Sequence, residues 1–216
     1  LELYTFDENP DDTSRENLMR QSIELMSKFP TIIAYAYNML RHGEQGRSLH
    51  IRHPQKGLSI AENFLFMLKG RDYTELDART MDLMLILHSE HGGGNNSTFT
   101  VRVTSSTGTD TYSSIAAGIG SLKGPKHGGA NLKVMEMINY LKTNVHDWHD
   151  EEEIARHLEG ILNRNEMDRH GLIYGIGHAV YTLSDPRAVL LKKLAGQLAA
   201  EKGRLPEYEF LQRIEK

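Results

Sequence analysis

Three glycine-rich segments carry the histidines and the arginine of this 216-residue sequence that are best placed to do chemistry. In the first, His88-Ser89-Glu90-His91-Gly92-Gly93-Gly94-Asn95, the apolar run from Met81 to Leu87 reads as a helix that continues to His91. Histidines three apart then share one helical face, and the glycines stop the helix so that both rings point into the cleft opening there. The second segment, Gly124-Pro125-Lys126-His127-Gly128-Gly129, is too rich in Gly and Pro for a helix interior, and a periodic stretch starts near Ala130. His127 is therefore expected at or just before a helix N-terminus, where a neutral ring can donate one hydrogen bond to a developing oxyanion. In the third, Gly175-Ile176-Gly177-His178 is followed by Asp185-Pro186-Arg187. Asp185 is a cap and Pro186 a first helical residue, but Arg187 puts a cation where the helix dipole opposes it. Either Arg187 holds an anionic ligand together with the helix end, or it pairs with Asp185 or simply lies in solvent.

His88 and His91 also have a spacing that metals use, but no third ligand follows at a suitable distance and the chain has no cysteine, so no metal is expected. Gly-x-Gly-His lacks the preceding strand and the third glycine of a dinucleotide fingerprint.

The elements that position these residues read as helices. Asp11 to Ser14 caps a helix from Arg15 with Leu18, Ile23, Leu25 and Met26 at apolar positions; Pro30 is expected to break it. A second helix, Thr31 to about His42, presents Ile33, Tyr37 and Leu40 and ends at Gly43, and residues 44–57 read as a surface loop. Ser59 with Glu62 forms a capping box for a helix closed by Gly70, and Thr74 with Asp77 opens the helix leading to His91. Phe99, Val101 and Val103 alternate with polar residues, which by local pattern is a strand. The small residues of 111–122 suit a helix that is buried or lies at an interface. Leu132 to Val145 is amphipathic, Asp150 caps a helix burying Ile154, Leu158, Ile161 and Leu162, and the helix from Pro186 is read as the last.

With 25 basic against 29 acidic residues nothing points to a nucleic acid partner. No apolar run approaches the length that spans a bilayer and LELYTFDENP has no signal-sequence character, so a cytoplasmic protein without membrane association is expected.

HSEHGGGN at 88–95, GPKHGGAN at 124–131 and GIGHAVYTLSDPR at 175–187 resemble the three signature segments of citrate synthases and 2-methylcitrate synthases. KFPTIIA at 28–34 and NFLFMLKG at 63–70 are also similar to that family. The resemblance implies an all-α fold in which a large helical domain, including 1–129, and a smaller one, including 130–216, enclose an active-site cleft. It makes the 97–105 stretch a helix. It implies condensation of acetyl-CoA with oxaloacetate through an enolate, with no permanently bound cofactor and a homodimer paired through 111–122. His127 then serves as enolate donor and His178 as ketone donor, while His91 and Arg187, supported by His88 and Asn95, hold oxaloacetate. Leu172, Ile173, Tyr174, Gly175, Ile176 and Gly177 lie along the coenzyme. The loop 179–184 carries no basic residue for the coenzyme's phosphates. The family's catalytic aspartate and further arginines are expected in motifs beyond Lys216, so residues 1–216 by themselves lack the base. A propionyl-CoA-using 2-methylcitrate synthase and a non-catalytic helical binding module are the alternatives.

Overall fold

The computed structural model describes residues 2–90, 92–177 and 184–216, so His91 and His178 lie outside the described residues. The described residues form α-helices and no strand: α1 (Glu2–Phe6), α2 (Arg15–Gln45), α3 (Ile60–Lys69), α4 (Glu75–Leu87), α5 (Asn96–Ser105), α6 (Thr111–Leu122), α7 (Ala130–Asn144), α8 (Glu151–Leu162), α9 (Pro186–Glu201) and α10 (Leu205–Glu215). This is the all-α class expected from the sequence. Two compact units divide the chain, Leu1–Ser121 and Leu122–Lys216.

In the first unit α2 corrects the sequence reading. Pro30 does not break it and Gly43 does not end it; one 31-residue helix runs to a left-handed Gly46 at φ 61°. An interior proline costs about 3 kcal/mol, but α2 is held on both sides of Pro30. Before it, Gln21 bonds Asp7 and Thr111; after it, Asn38 donates to the Met67 carbonyl of α3 at 3.3 Å. The buried face is Asn17, Gln21, Leu25, Ala34 and Asn38, whereas Leu18, Ile23, Met26, Ile33, Tyr37 and Leu40 are exposed. Both expected capping boxes form, Ser59 with Glu62 and Thr74 with Asp77. The 97–105 stretch is helical, as the family resemblance implied and the local alternation did not. Asn95 caps α5, and a Cβ on Gly118 of α6 would stand 2.6 Å from Val101 Cγ2, so the two helices approach where only glycine fits.

Asp7 ties α2 and α6 together. Its carboxylate accepts from the Tyr112 hydroxyl, from Arg20 at 2.7 Å, from Gln21 at 3.1 Å and from the Asn9 backbone N–H at 2.9 Å. The Tyr112 bond first, then those of Asn9, Arg20 and Gln21, hold the Asp7 carboxyl far below the usual range against the opposing effect of burial. Burial and Asp7 push the Tyr112 hydroxyl up to about 12. The depressed carboxyl contributes stability that is present above its unfolded pKa and lost as pH falls below about 4. The raised phenol contributes stability present below pH about 10 and lost toward about 12. Thermal melts across pH are expected to show both losses in the wild type, the acid loss reduced in Asp7→Asn and the alkaline loss reduced in Tyr112→Phe. Unchanged profiles in both variants would exclude this cluster as the cause.

The second unit packs around Met137, Leu141, Ile154, Ile161, Phe210 and Ile214 from α7, α8 and α10, together with Val145, the cap of α7. Here α9 is not the last helix. Leu205 and Pro206 start α10, whose Phe210 is fully buried and stacked on Trp148. Leu162, expected on the buried face of α8, is 53% exposed because the helix ends there.

Candidate functional site

The helix carrying the first histidine stops earlier than its apolar run suggests. α4 ends at Leu87, so His88 is its cap at φ −94°, ψ −1°, rather than a residue of the helix body. His88 Nδ1 lies 2.7 Å from the Met84 carbonyl. A carbonyl only accepts, so Nδ1 carries the proton and Nε2 of the neutral ring is an acceptor. Gly92, at φ 78°, turns the chain with its N–H held by Glu90, and Asn95 Oδ1 accepts from Ser97 and Thr98 at 2.9 and 3.1 Å. Asn95 is thus the cap that sets the start of α5. Arg102, which the sequence reading treated only as part of an alternating pattern, reaches back so that Nη1 would lie 3.2 Å from a Cβ on Gly93.

His127 stands two residues before Gly129, the cap of α7. Its N–H donates to Gly124 O at 3.0 Å, and Gly128 donates to Leu122 O at 3.0 Å, closing a tight turn. A Cβ on Gly128 would meet Leu122 O at 2.3 Å, and one on Gly129 would meet Pro125 O at 2.6 Å. Both glycines are required by backbone approach, and together they fix where His127 leaves the chain.

The 172–177 turn is anchored to the same helix. Gly175 and Gly177 have φ 81° and 86°, and a Cβ on Gly175 would stand 2.9 Å from Val134 Cγ2 of α7. Ile173 and Tyr174 pack on the core, and the Tyr174 hydroxyl donates to Asp168 at 2.7 Å. Asp168 also meets His170 Nδ1 at 3.0 Å and Lys133 Nζ of α7 at 3.4 Å. Burial pushes its carboxyl up, but bonds from Tyr174 and from the backbone and ring of His170 outweigh this and hold it well below the usual range. Lys133 and Val134 thus bind the turn to the first turns of the helix that His127 precedes. The sequence reading missed Asp168 and Lys133; the signal was faint, a carboxylate six residues before a tyrosine in a polar loop. That loop is strained, with Arg164, Met167 and Arg169 at φ 62°, 55° and 60°.

At the start of α9 the structure forms the Arg187–Asp185 pair that was among the readings of Arg187. Nε lies 3.1 Å from both Asp185 oxygens and Nη2 lies 2.7 Å from Oδ2, while Asp185 also caps the Arg187 N–H at 2.9 Å. The fork is aligned and the guanidinium is part-buried. His91 and His178 lie outside the described residues. Among the described residues no three His, Cys, Asp or Glu side chains could hold a metal ion.

The family model for the citrate synthase C-terminal domain matches residues 1–216. The chain belongs to the citrate synthase family. It is 38% identical over 214 residues to a citrate synthase of Deinococcus radiodurans, covering 99% of this chain and 52% of that protein. It is 39% identical over 179 residues to a 2-methylcitrate synthase of Shewanella oneidensis, covering 83% of this chain and 43% of that one. Its fold matches the Thermoplasma acidophilum citrate synthase solved with carboxymethyl coenzyme A and oxaloacetate, at a TM-score of 0.71 and 28% identity over 94% of this chain and 49% of the other. The chain thus spans about half the length of the curated relatives it matches. Within the described residues no helix is long and apolar enough to cross a membrane.

Proposed function

We propose that the protein carrying this chain condenses acetyl-CoA with oxaloacetate to citrate and coenzyme A. The observation that carries this reading is the likeness to a family member solved with a coenzyme A analogue and oxaloacetate together. A base removes a methyl proton of the thioester. His127 donates to the enolate oxygen, and the enolate carbon attacks the ketone of oxaloacetate. His178 protonates the resulting alkoxide, and water then cleaves the thioester. His91 and Arg187 hold the oxaloacetate carboxylates, supported by His88 and Asn95, and 172–177 lies along the coenzyme. Residues 1–129 and 130–216 contribute to the large and small domains, and two copies pair through α6, whose Ile119 and Leu122 are each 49% exposed. Nearly equal identity to a 2-methylcitrate synthase keeps propionyl-CoA as the second reading.

Arg187 tests the oxaloacetate assignment. Its fork is already aligned by Asp185, so a substrate carboxylate meets a cation with little freedom left to lose. Arg187→Ala is expected to weaken oxaloacetate binding by about 1.5–3 kcal/mol, roughly ten- to a hundred-fold, while His149→Ala changes nothing. Calorimetric titration of the protein carrying this chain reads this directly. Equal affinity in Arg187→Ala would leave the pair with Asp185 as an ordinary helix start.

A further inference from the structure

A cavity of about 490 Å³ in the first unit is lined by Asn38, Arg41, Gly46, Arg47, Ser48, His50, Arg52 and Leu68, three guanidinium groups and an imidazole with no carboxylate among them. The stretch 41–56 holds Arg41, Arg47, Arg52 and Lys56 against Glu44 alone, in a chain whose net charge is −4. Among the described residues none of the three arginines pairs with a carboxylate. Arg41 lies over the Tyr37 ring at 5.5 Å, and half-buried Arg52 makes one long contact, 3.5 Å, to the Met67 carbonyl. The backbone holds them there. Gly46 turns at φ 61°, His42 Nδ1 donates to Arg47 O at 2.7 Å, and the Arg52 guanidinium lies against Gly70, where a Cβ would stand 3.3 Å from Nε. A cation at the end of α2 complements the helix dipole, which accounts for Arg41 but not for Arg47 and Arg52 beyond it. Like charges around one cavity repel one another unless an anion sits between them.

We propose that this cavity binds a small molecule through a phosphate or diphosphate group. Guanidinium forks match phosphate oxygens in pairs, and the volume suits a metabolite rather than a single ion. None of its lining residues is assigned to oxaloacetate or to the coenzyme, so the proposal does not depend on the reaction.

Inorganic pyrophosphate, titrated calorimetrically at fixed ionic strength into the protein carrying this chain, tests it. A saturable site is expected, weakened about ten-fold or more in Arg52→Gln and in Arg47→Gln and unchanged in Arg156→Gln of the second unit. Saturating coenzyme A is expected to leave pyrophosphate binding as it was. Arg47 is exposed on the loop, so its variant decides the matter if Arg52→Gln does not fold. No saturable binding, wild-type affinity in Arg47→Gln, or an equal loss in Arg156→Gln would overturn the proposal. Citrate binding as tightly as pyrophosphate would overturn the phosphate class, and displacement by coenzyme A would assign the cavity to the co-substrate.

Discussion

Phe210→Ala is expected to destabilise the second unit by about 3–5 kcal/mol, the cost of truncating a fully buried aromatic in a core that cannot close around the space left. Phe210 is 0% exposed and stacks on Trp148 with ring centroids 4.8 Å apart and planes 19° from parallel. It is packed among Met137 and Leu141 of α7 and Ile154 and Ile161 of α8, so its loss frees surface on helices that precede it by some fifty residues or more of chain. Domains are stable by only about 5–15 kcal/mol, and a change of this size moves the unfolding midpoint far down the denaturant axis. Trp148 stacks on Phe210 and is the single tryptophan of these 216 residues, so in this chain its fluorescence reports the packing that the substitution removes. A loss under about 1 kcal/mol by fluorescence and circular dichroism together would show that α10 is an appendage and not part of the core.

The same helix shows what the sequence conveyed and what it did not. Leu205-Pro206 is a helix start of the kind read correctly at Asp185-Pro186, and Phe210, Leu211 and Ile214 have helical spacing, so α10 was legible and was passed over. The capping boxes at Ser59 and Thr74 were legible because their chemistry is contained within four residues. Pro30 misled because a local penalty of a few kcal/mol was outweighed by contacts from Gln21 to Thr111 and from Asn38 to Met67, pairs far apart in sequence. Alternation at 99–103 misled because it is a local signal: the close approach of α5 to α6 at Val101 and Gly118 joins residues that no local pattern links. Of the candidate site, the turn that holds His127 followed from its glycines and proline. Asp168 and Lys133, which hold the 172–177 turn, did not, because isolated charged residues in polar stretches carry no pattern.

If the proposed reaction holds, His127→Ala in the protein carrying this chain is expected to lower kcat for citrate formation by about 10²–10³, the effect of removing one donor aimed at a developing oxyanion. In that reaction the thioester oxygen gains charge only as the methyl proton leaves, so the proposed bond from His127 would strengthen on the way to the transition state and contribute little to ground-state binding. The loss should therefore fall on kcat, with KM for acetyl-CoA changed by no more than a few-fold. The turn itself should survive. Its closure is by backbone bonds from His127 N–H to Gly124 and from Gly128 to Leu122, and these do not involve the imidazole. Circular dichroism and the thermal midpoint are expected to stay near wild type, which separates loss of the donor from loss of the fold. His127→Asn, which retains an N–H donor on a shorter side chain, should recover part of the rate. A His127→Ala enzyme within ten-fold of wild-type kcat, or one impaired only in KM, would show that the histidine in this turn does not hold the enolate.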